Sequence, residues 1–394
     1  MDPKSQSSRV IRTPAWGSVA LVLWTVALTV LLTRAGLQPH RLSSLTTYLT
    51  GAAAWQTSSP LYTDWRGFVY PPGIAWFFSL LRNLPLALAA VLWRALTAGA
   101  FLFGLGALLR SGILHRIPPT SRGIVFIAVL PLSIGNLDNA QANPLIAGLM
   151  MLSVAALQTE SWTLCAFAAA VSIAFKVYPA ALALLLCLLR PKELSWRIAL
   201  ILLFLILLPF ALHDSHYVSG QYHAWLQTRL ADDRFHYPMK DAPLDLWYLL
   251  VRLGNLPVSV RAYEAVQVLS GISLAALLWI RSRRGVARPD NLALLYLLAS
   301  VWMLLLGPAT ENQTYVVLAP AASVLLIQSL YSGSSSSRIL AISGYAFLLA
   351  AVCRNSLIPS LKSPLFMAIQ PIGALILLAA ILCDLSAATP ASPR

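Results

Sequence analysis

Residues 143–190 decide the fold: NPLIAGLMMLSVAALQTESWTLCAFAAAVSIAFKVYPAALALLLCLLR. Three apolar runs (144–157, 161–175 and 178–190) follow one another here with only short polar corners between them. Each run is shorter than the roughly 20 residues that an upright helix needs to cross about 30 Å of hydrocarbon. Their polar ends must then lie against protein or in a wet cavity, because lipid cannot satisfy backbone hydrogen bonds. The stretch therefore predicts short helices inside a larger membrane bundle.

The composition of the whole chain is that of a membrane protein. Of its 394 residues, 58% are hydrophobic and only 11% are charged, and the mean hydropathy is +0.72. A soluble domain needs more charge on its surface. We therefore predict an all-α fold, a polytopic bundle of about twelve transmembrane helices that forms one domain over the whole chain. The predicted spans lie near 16–34, 86–109, 121–135, 144–157, 161–175, 178–190, 196–212, 260–281, 290–306, 312–330, 338–353 and 364–384.

Basic residues orient this bundle. They gather in the N-terminal tail (1–15), in the predicted loops 110–122 and 190–197, and in the segment 281–288. Loops rich in lysine and arginine stay in the cytoplasm, so both termini are predicted to be cytoplasmic in an inner or plasma membrane. The first apolar run is interpreted as a retained signal anchor. The same pattern explains the net charge of +14 without a nucleic-acid partner.

Two long loops face the opposite, outer side. The first outer loop (35–70) and the large outer loop (213–258) are too long for simple connections, and long ordered loops often carry function. A helix-like stretch at 48–56 is predicted to lie along the membrane surface. Residues 69–81 are apolar, but a full span there inverts the side of every later loop. We interpret them as a partial or re-entrant helix, or as a short span paired with its neighbour.

Three ionisable residues stand at joints between short apolar helices. Asp138, Lys176 and Glu311 each occupy such a joint, and we predict that these joints line one cavity. Charged groups near membrane depth are costly, which indicates a function. Lys176 precedes a helix and gains nothing from the helix dipole there, so it needs an anion. A phosphate is one candidate partner, and a carboxylate such as Asp138 or Glu311 is the other.

The remaining residue patterns indicate no metal and no cofactor. Four histidines in the large outer loop (His213, His216, His223 and His236) match no standard metal motif. The four cysteines lie inside or at the ends of apolar runs, with spacing that suits neither a metal site nor a disulfide framework. There is no P-loop, no Rossmann glycine pattern and no Ser-His-Asp signature. An activated donor delivered within the membrane fits this pattern better than ATP-driven chemistry.

Four motifs occur in order along the chain: PLYTDWRGFVYPP (60–72), GNLDNAQANP (135–144), AFKVYPA (174–180) and GPATENQTYVVLAP (307–320). Together they resemble glycosyltransferase family 87, the polyprenol-phosphate-mannose-dependent branch of the GT-C membrane glycosyltransferases. The likeness runs from about residue 40 to about residue 325. It implies an outward-facing active site and a polyprenyl-phosphate-linked sugar donor, with mannose as the expected hexose. It also implies inverting transfer to a lipid or glycan acceptor in the cell envelope.

The resemblance also implies roles for single residues. By position, the residues that the resemblance implies for binding the donor and its phosphate are Arg66, Tyr70, Gln141, Asn143, Lys176 and Tyr178. Ala140 stands where the family's Gly-Gln-x-Asn element has its glycine. Lys176 would hold the departing lipid phosphate and stabilise its charge. A carboxylate in the first outer loop would be the general base that takes the proton of the acceptor hydroxyl.

One departure from the family pattern concerns this base. The first loop reads SSLTTY, with Ser43 or Ser44 where the acid is expected. Asp64 is the first candidate replacement because it alone remains in that loop, and Asp138 or Glu311 could serve from another wall. Otherwise activity is lost, and the alternative is a catalytically inactive GT-C-fold protein that binds or moves lipid-linked sugars. A secondary transporter fits less well, because few polar residues continue to the cytoplasmic side.

Overall fold

The computed structural model describes residues 16–64, 67–307, 310–357 and 363–387. Throughout these ranges the ordered elements are helices, and no strand occurs in them, which confirms the all-α prediction. The α-helices are α1 (Trp16–Leu37), α2 (Ser44–Gln56), α3 (Pro72–Arg82), α4 (Leu86–Arg110), α5 (Arg122–Asp138), α6 (Asn143–Gln158), α7 (Trp162–Phe175), α8 (Ala180–Leu189), α9 (Pro191–Leu212), α10 (Ser215–Leu230), α11 (Val260–Arg283), α12 (Arg288–Leu305), α13 (Ala319–Ser332), α14 (Ser335–Leu357), α15 (Pro364–Met367) and α16 (Ile369–Ala387).

Seven helical segments of the described chain are long and apolar enough to cross a membrane. They are Trp16–Leu37, Leu86–Arg110, Pro119–Asp138, Pro191–Leu212, Val260–Arg283, Ser335–Cys353 and Pro364–Ser386. Helices α6, α7 and α8 are apolar but shorter. A multi-pass membrane protein is thereby confirmed, whereas the number of twelve spans and the orientation of the termini stay predictions.

Several predicted boundaries differ from the structure. The predicted loop 190–197 is wrong, because α9 begins at Pro191 directly after α8 and proline is well suited to the first turn of a helix. The predicted span 312–330 begins as a 3-10 turn, Asn312–Val317, and becomes α-helical only at Ala319. Residues 69–81 overlap α3 (Pro72–Arg82), whose 11 residues reach about 16 Å at 1.5 Å per residue. That length is about half the hydrocarbon thickness.

Helices α4 and α6 approach each other closely in the core. Gly104 on α4 faces Gly148 on α6, and a Cβ atom at either position would collide with the backbone of the other helix. Small residues at such a crossing allow helix backbones to approach closely, which is a common way to pack membrane helices. This contact fixes the start of α6 beside α4 and so fixes the corner between α5 and α6.

Helix α2 lies over that corner. The Ser44 backbone N–H donates to the Asn139 carbonyl oxygen at 3.0 Å, and the Ala142 N–H donates to the Tyr48 hydroxyl at 3.1 Å. Tyr48 also stacks on Phe78 of α3, with ring centroids 4.4 Å apart. The helix predicted near 48–56 is thus present and begins at Ser44. It holds the first outer loop against the ends of the short helices.

A single methyl group at the α4–α6 crossing should measurably destabilise the fold. Gly148→Ala forces a Cβ into the Ala100 carbonyl of α4, and overpacking of this kind costs about 1–3 kcal/mol. We expect a lower melting temperature in detergent for this variant. Gly99→Ala on α4 is the matched control, because a Cβ there meets nothing within 4 Å. Equal melting temperatures for the two variants would contradict the close approach.

Candidate active site

The corners between short helices open onto a polar cavity of about 540 Å³, here called the central chamber. The α7–α8 corner contributes Lys176, and the turn before Asn312–Val317 contributes Glu311. Ser44 at the start of α2 and Gln141 in the α5–α6 corner form part of the opposite wall. Among the described residues, four cationic and three anionic side chains line the chamber, which leaves an excess of one positive charge. The buried Asp245 carboxylate, 3.1 Å from Arg234, balances this excess, so the chamber is polar and close to neutral overall.

Lys176 is held at the end of α7 by its local sequence. Its backbone is extended, with φ −147° and ψ 143°, and Pro179, three residues later, is the N-cap of α8. The Lys176 ammonium lies 6.0 Å from the centroid of the Tyr70 ring, within reach of a cation–π interaction. Burial lowers the pKa of Lys176, and the negative charge of Glu311 opposes that shift. Lys176 and Glu311 therefore act on one another across the chamber.

Glu311 is an exposed carboxylate of the chamber lining. Its backbone forms the N-cap of the Asn312–Val317 turn, and its side chain accepts a hydrogen bond from the Thr314 backbone N–H. The Thr314 hydroxyl returns the bond by accepting from the Glu311 N–H at 3.2 Å. This reciprocal capping box fixes the position of the carboxylate. Within the described residues, Glu311 forms no ion pair shorter than 4.0 Å.

A wall of hydroxyl and amide groups completes the chamber. The hydroxyl oxygens of Tyr48 and Tyr70 lie 3.2 Å apart, and Gln141 donates through Nε2 to the Ser44 hydroxyl at 2.6 Å. Asn143 is fully buried and donates to the Gln313 carbonyl at 3.1 Å. Its amide therefore joins the start of α6 to the segment that follows Glu311.

The backbone at Ala140 explains one feature of the motif. Its φ is +55°, in the left-handed region that glycine adopts most easily. The carbonyl oxygen of Ala140 accepts a hydrogen bond from the Trp93 indole N–H at 2.9 Å, which holds the residue in this conformation. A glycine in the Gly-Gln-x-Asn element is thus suited to the turn, and here an alanine makes the same turn.

Arg234, which the sequence analysis did not select, is a further cation of the chamber wall. It lies in a 3-10 turn of the large outer loop, and its Nη2 donates to the Asp245 carboxylate and to the Gly307 carbonyl, both at 3.1 Å. Its Nε and Nη1 atoms are buried and have no hydrogen-bond partner among the residues that the structure describes. Buried guanidinium N–H groups are normally paired, so this position indicates an anion site.

Asp245 fixes the position of Arg234. It is only 1% exposed, and its Oδ1 accepts from the Tyr248 backbone N–H at 3.0 Å. Burial raises the pKa of Asp245 to about 6, and the Arg234 charge opposes that shift. Asp245 binds only the Nη2 atom of the guanidinium, which leaves Nε and Nη1 for a ligand.

An apolar groove of about 740 Å³ reaches Arg234. Helices α8, α11 and α12 line it, with Leu184, Val268 and Trp302 among the contributing side chains. Gly271 leaves room for the Trp302 ring, since a Cβ there would lie 3.2 Å from it. Arg234 lines both the groove and the central chamber. The groove and the chamber therefore meet at a cation.

Asp138 faces a different cavity. The prediction of one shared cavity holds for Lys176 and Glu311, whereas Asp138 lines a neighbouring cleft of about 870 Å³. Its carboxylate is 2.7 Å from Arg41 and 3.4 Å from Arg34. Two guanidinium groups therefore already pair with this carboxylate, outside the chamber that contains Lys176.

The other residues selected from the sequence lie around the chamber or outside it. Asp64 is exposed and is not part of the chamber lining, and Arg66 lies outside the described residues. Tyr178 lines the apolar groove, and its buried hydroxyl has no partner among the described residues. Among the residues that the structure describes, no three histidine, cysteine, aspartate or glutamate side chains form a group that could hold a metal ion.

Comparison with known proteins gives one family. Residues 68–308 match the model of glycosyltransferase family 87. No curated protein matches the chain. Among solved structures, the chain resembles the crystal structure of ArnT from Cupriavidus metallidurans bound to undecaprenyl phosphate. The sequence identity is 15% and the TM-score 0.41, over 93% of this chain and 76% of that chain.

The lowered pKa of Lys176 predicts how phosphate binding depends on pH. Lys176 loses its charge at a lower pH than an ordinary lysine, whose pKa is about 10.4. Affinity for a fluorescent alkyl phosphate should therefore fall on the alkaline side before ordinary lysines titrate. Lys176→Arg stays charged over this range and should keep its affinity. Identical pH profiles of the wild type and this variant, measured by fluorescence anisotropy, would exclude Lys176 as the titrating group.

Proposed function

This chain belongs to glycosyltransferase family 87, and from that premise we propose that it transfers a hexose from a polyprenyl-phosphate-linked donor to an extracytoplasmic acceptor. Mannose is the expected sugar, and transfer proceeds with inversion at the anomeric carbon. The active site is the central chamber, on the outer face of a cell membrane. Phosphate and sugar lie in the chamber, and the polyprenyl chain lies in the apolar groove.

The observation that carries this proposal is the position of Arg234. A polyprenyl phosphate has a long apolar chain that ends in a compact anion, and it needs an apolar channel ending at a cation. The groove between α8, α11 and α12 has this form, because Arg234 lines it, and two guanidinium nitrogens of Arg234 are buried without a partner among the described residues. A phosphate oxygen accepts such N–H groups strongly, because the hydrogen bond is charge-assisted.

Lys176 supplies a second positive charge, on the chamber side of Arg234. When the bond between the anomeric carbon and the phosphate oxygen breaks, negative charge grows on the leaving lipid phosphate. Fixed cations in a partly buried site stabilise that charge without reorganising. Tyr70, beside the Lys176 ammonium, offers its aromatic face next to the place where the sugar lies.

Glu311 is the general base in this proposal. It faces the chamber that contains Lys176, whereas Asp64 is absent from the chamber lining and Asp138 is bound by two arginines. The acceptor hydroxyl gives its proton to the Glu311 carboxylate, and its oxygen forms the new bond to the anomeric carbon. The bond to the phosphate oxygen breaks on the opposite face, and the phosphate leaves with the electron pair. This in-line geometry inverts the anomeric carbon.

The two cations should determine donor affinity. Arg234→Gln and Lys176→Ala each remove a charge-assisted hydrogen bond, worth about 1.5–3 kcal/mol, so the donor Kd should rise at least tenfold. Binding of radiolabelled polyprenyl-phosphate-mannose to the purified protein measures this. Arg261→Gln, at an exposed arginine in the first turn of α11, is the matched control and should bind as the wild type does. Wild-type affinity in Arg234→Gln would remove this residue from the site.

Removal of the general base should lower the rate of sugar transfer. Loss of a general base typically costs 10²–10⁴-fold, so Glu311→Gln should lower kcat by at least about 100-fold at unchanged donor affinity. The assay supplies radiolabelled polyprenyl-phosphate-mannose and membrane extract to the purified protein. Asp64→Asn is the matched carboxylate control and should keep its rate. A greater loss in Asp64→Asn or Asp138→Asn than in Glu311→Gln would assign the base to that residue instead.

A second candidate function rests on Ser44. This serine lines the chamber in the loop where the resemblance places the acid, and it accepts a hydrogen bond from Gln141. A protein that binds or moves lipid-linked sugars without transferring them fits that replacement. Normal donor binding by the wild type with no transfer to any fraction of the membrane extract would favour this function.

A further inference from the structure

A small polar pocket lies at the opposite end of α12 from the central chamber. Helix α12 begins beside this pocket, with Asp290 in its first turn, and ends at Leu305, shortly before the Gly307 carbonyl that binds Arg234. The pocket has a volume of about 60 Å³ and is here called the α12–α16 pocket, after two of the helices that line it. This volume admits a group about as large as one or two water molecules. The occupant is therefore a small group, or the small end of a larger molecule.

The charges that line the α12–α16 pocket balance one another. Among the described residues they are two cations, Arg116 and Arg281, and two anions, Asp290 and Asp384. Asp290 is already paired, because its Oδ1 lies 3.2 Å from Arg116 Nη2 and 3.7 Å from His115 Nε2. Asp384 forms no ion pair shorter than 4.0 Å within the described residues. A lining without net charge suits a ligand without net charge, and Asp384 is left for a cationic group of that ligand.

A buried amide oxygen of the same pocket lacks a hydrogen-bond donor. Gln328 of α13 lines the pocket and is only 8% exposed, and its Oε1 atom is buried without a partner in the described part of the chain. Buried polar atoms are normally paired, so this atom indicates a donor that arrives with a ligand. The Asp384 carboxylate and Gln328 Oε1 are both acceptors, and a primary ammonium group carries three donors. A bare metal ion fits less well, because the two arginines of the lining would repel it.

Arg281 supplies the complementary position for an anion. It lies in the last turn of α11, and its Nε donates to the Asn291 side-chain oxygen at 3.2 Å. Its two Nη atoms form no hydrogen bond with the residues that the structure describes. Terminal guanidinium N–H groups bind phosphate oxygens strongly, because the hydrogen bond is charge-assisted. The pocket therefore offers acceptors for an ammonium and, beside them, donors for a phosphate.

The α12–α16 pocket lies at the depth where lipid headgroups begin. Arg281 and Asp384 each stand two residues before the end of a segment long and apolar enough to cross a membrane, Val260–Arg283 and Pro364–Ser386. Leu382, one turn or less from Asp384 on α16, is 49% exposed, as expected for a helix face that contacts lipid. Charged pockets between membrane helices at this depth are suited to lipid headgroups.

We propose that the α12–α16 pocket binds a zwitterionic membrane lipid whose headgroup carries a phosphate and a primary ammonium group. The ammonium enters the pocket and donates to Asp384 and Gln328, the phosphate binds Arg281, and the acyl chains lie along the lipid-facing sides of α11 and α16. A quaternary ammonium has no N–H donor and is larger, so the pocket discriminates against it. The proposal does not depend on the proposed transfer function, because this lipid is bound away from the central chamber and is not a substrate.

The binding experiment uses the full chain in nanodiscs of phosphatidylcholine. The probe is phosphatidylethanolamine with a fluorescent label on an acyl chain, which leaves the amine free, and energy transfer from the tryptophans of the protein measures its binding. Phosphatidylcholine and phosphatidylglycerol with the same label are the comparisons. We expect phosphatidylethanolamine to bind at least tenfold more tightly than either. Equal binding of phosphatidylethanolamine and phosphatidylcholine would overturn the proposal, and so would tightest binding of phosphatidylglycerol, since charge alone would then decide.

Two variants test the acceptors of the pocket. Asp384→Asn and Gln328→Leu should each weaken phosphatidylethanolamine binding at least tenfold and leave phosphatidylcholine binding unchanged. Glu193→Gln is the matched control, because it removes a carboxylate from the first turn of α9, outside the pocket lining. Without the lipid, Gln328→Leu should melt no lower than the wild type, because the variant removes a buried acceptor that has no partner among the described residues. Wild-type affinity for phosphatidylethanolamine in both variants would overturn the proposal.

A soluble competitor separates a lipid from a free amine. Phosphoethanolamine has the same headgroup without acyl chains and should displace the labelled lipid only weakly; displacement at the same concentration as the lipid would overturn the lipid assignment. Asp384→Asn should keep the donor Kd of the wild type. Loss of donor binding in this variant would contradict a site that is separate from the central chamber.

Discussion

The structure depends on how the ends of short helices are satisfied at membrane depth, where lipid offers no hydrogen bonds. At the end of α5, the Asp138 carbonyl accepts from Arg94 and the Asn139 carbonyl accepts from the Ser44 N–H. At the start of α6, the Asn143 side chain joins the segment after Glu311. These bonds draw the first outer loop and the later turn onto the same corner. The chamber is therefore enclosed by the residues that satisfy the helix ends.

The hydrogen bonds of two arginines, Arg94 and Arg234, distinguish a residue that caps a helix from a residue that is suited to bind a ligand. In Arg94, each of the three guanidinium nitrogens donates to a backbone carbonyl, so the residue acts as a cap for α5. In Arg234, one nitrogen binds both protein partners, and the other two are buried without a partner among the described residues. Burying such groups is costly unless something accepts from them. That difference supports a ligand at Arg234 and none at Arg94.

The sequence predicted the fold class and part of the candidate site. Apolar runs predict helices directly, and Lys176 and Glu311 were visible because each interrupts such a run. Arg234 was not visible, because its significance depends on Asp245 and on the Gly307 carbonyl, and the large outer loop has no periodicity that brings them together. The ion pairs of Asp138 were not visible for a related reason. Arg41 lies in the first outer loop, and only the folded chain places it 2.7 Å from this carboxylate.

The chamber geometry also suggests why an acid in the first loop is not required for the proposed chemistry. Ser44 already accepts the Gln141 amide at 2.6 Å, so this wall is held together by neutral groups. Glu311 stands on another wall, fixed by its capping box, beside the residues that the chamber shares with the neighbouring cleft of Asp138. A base must lie near the acceptor hydroxyl and opposite the leaving phosphate. With the donor phosphate proposed at Arg234 and Lys176, a carboxylate at 311 lines the same chamber, where an acceptor hydroxyl can reach it.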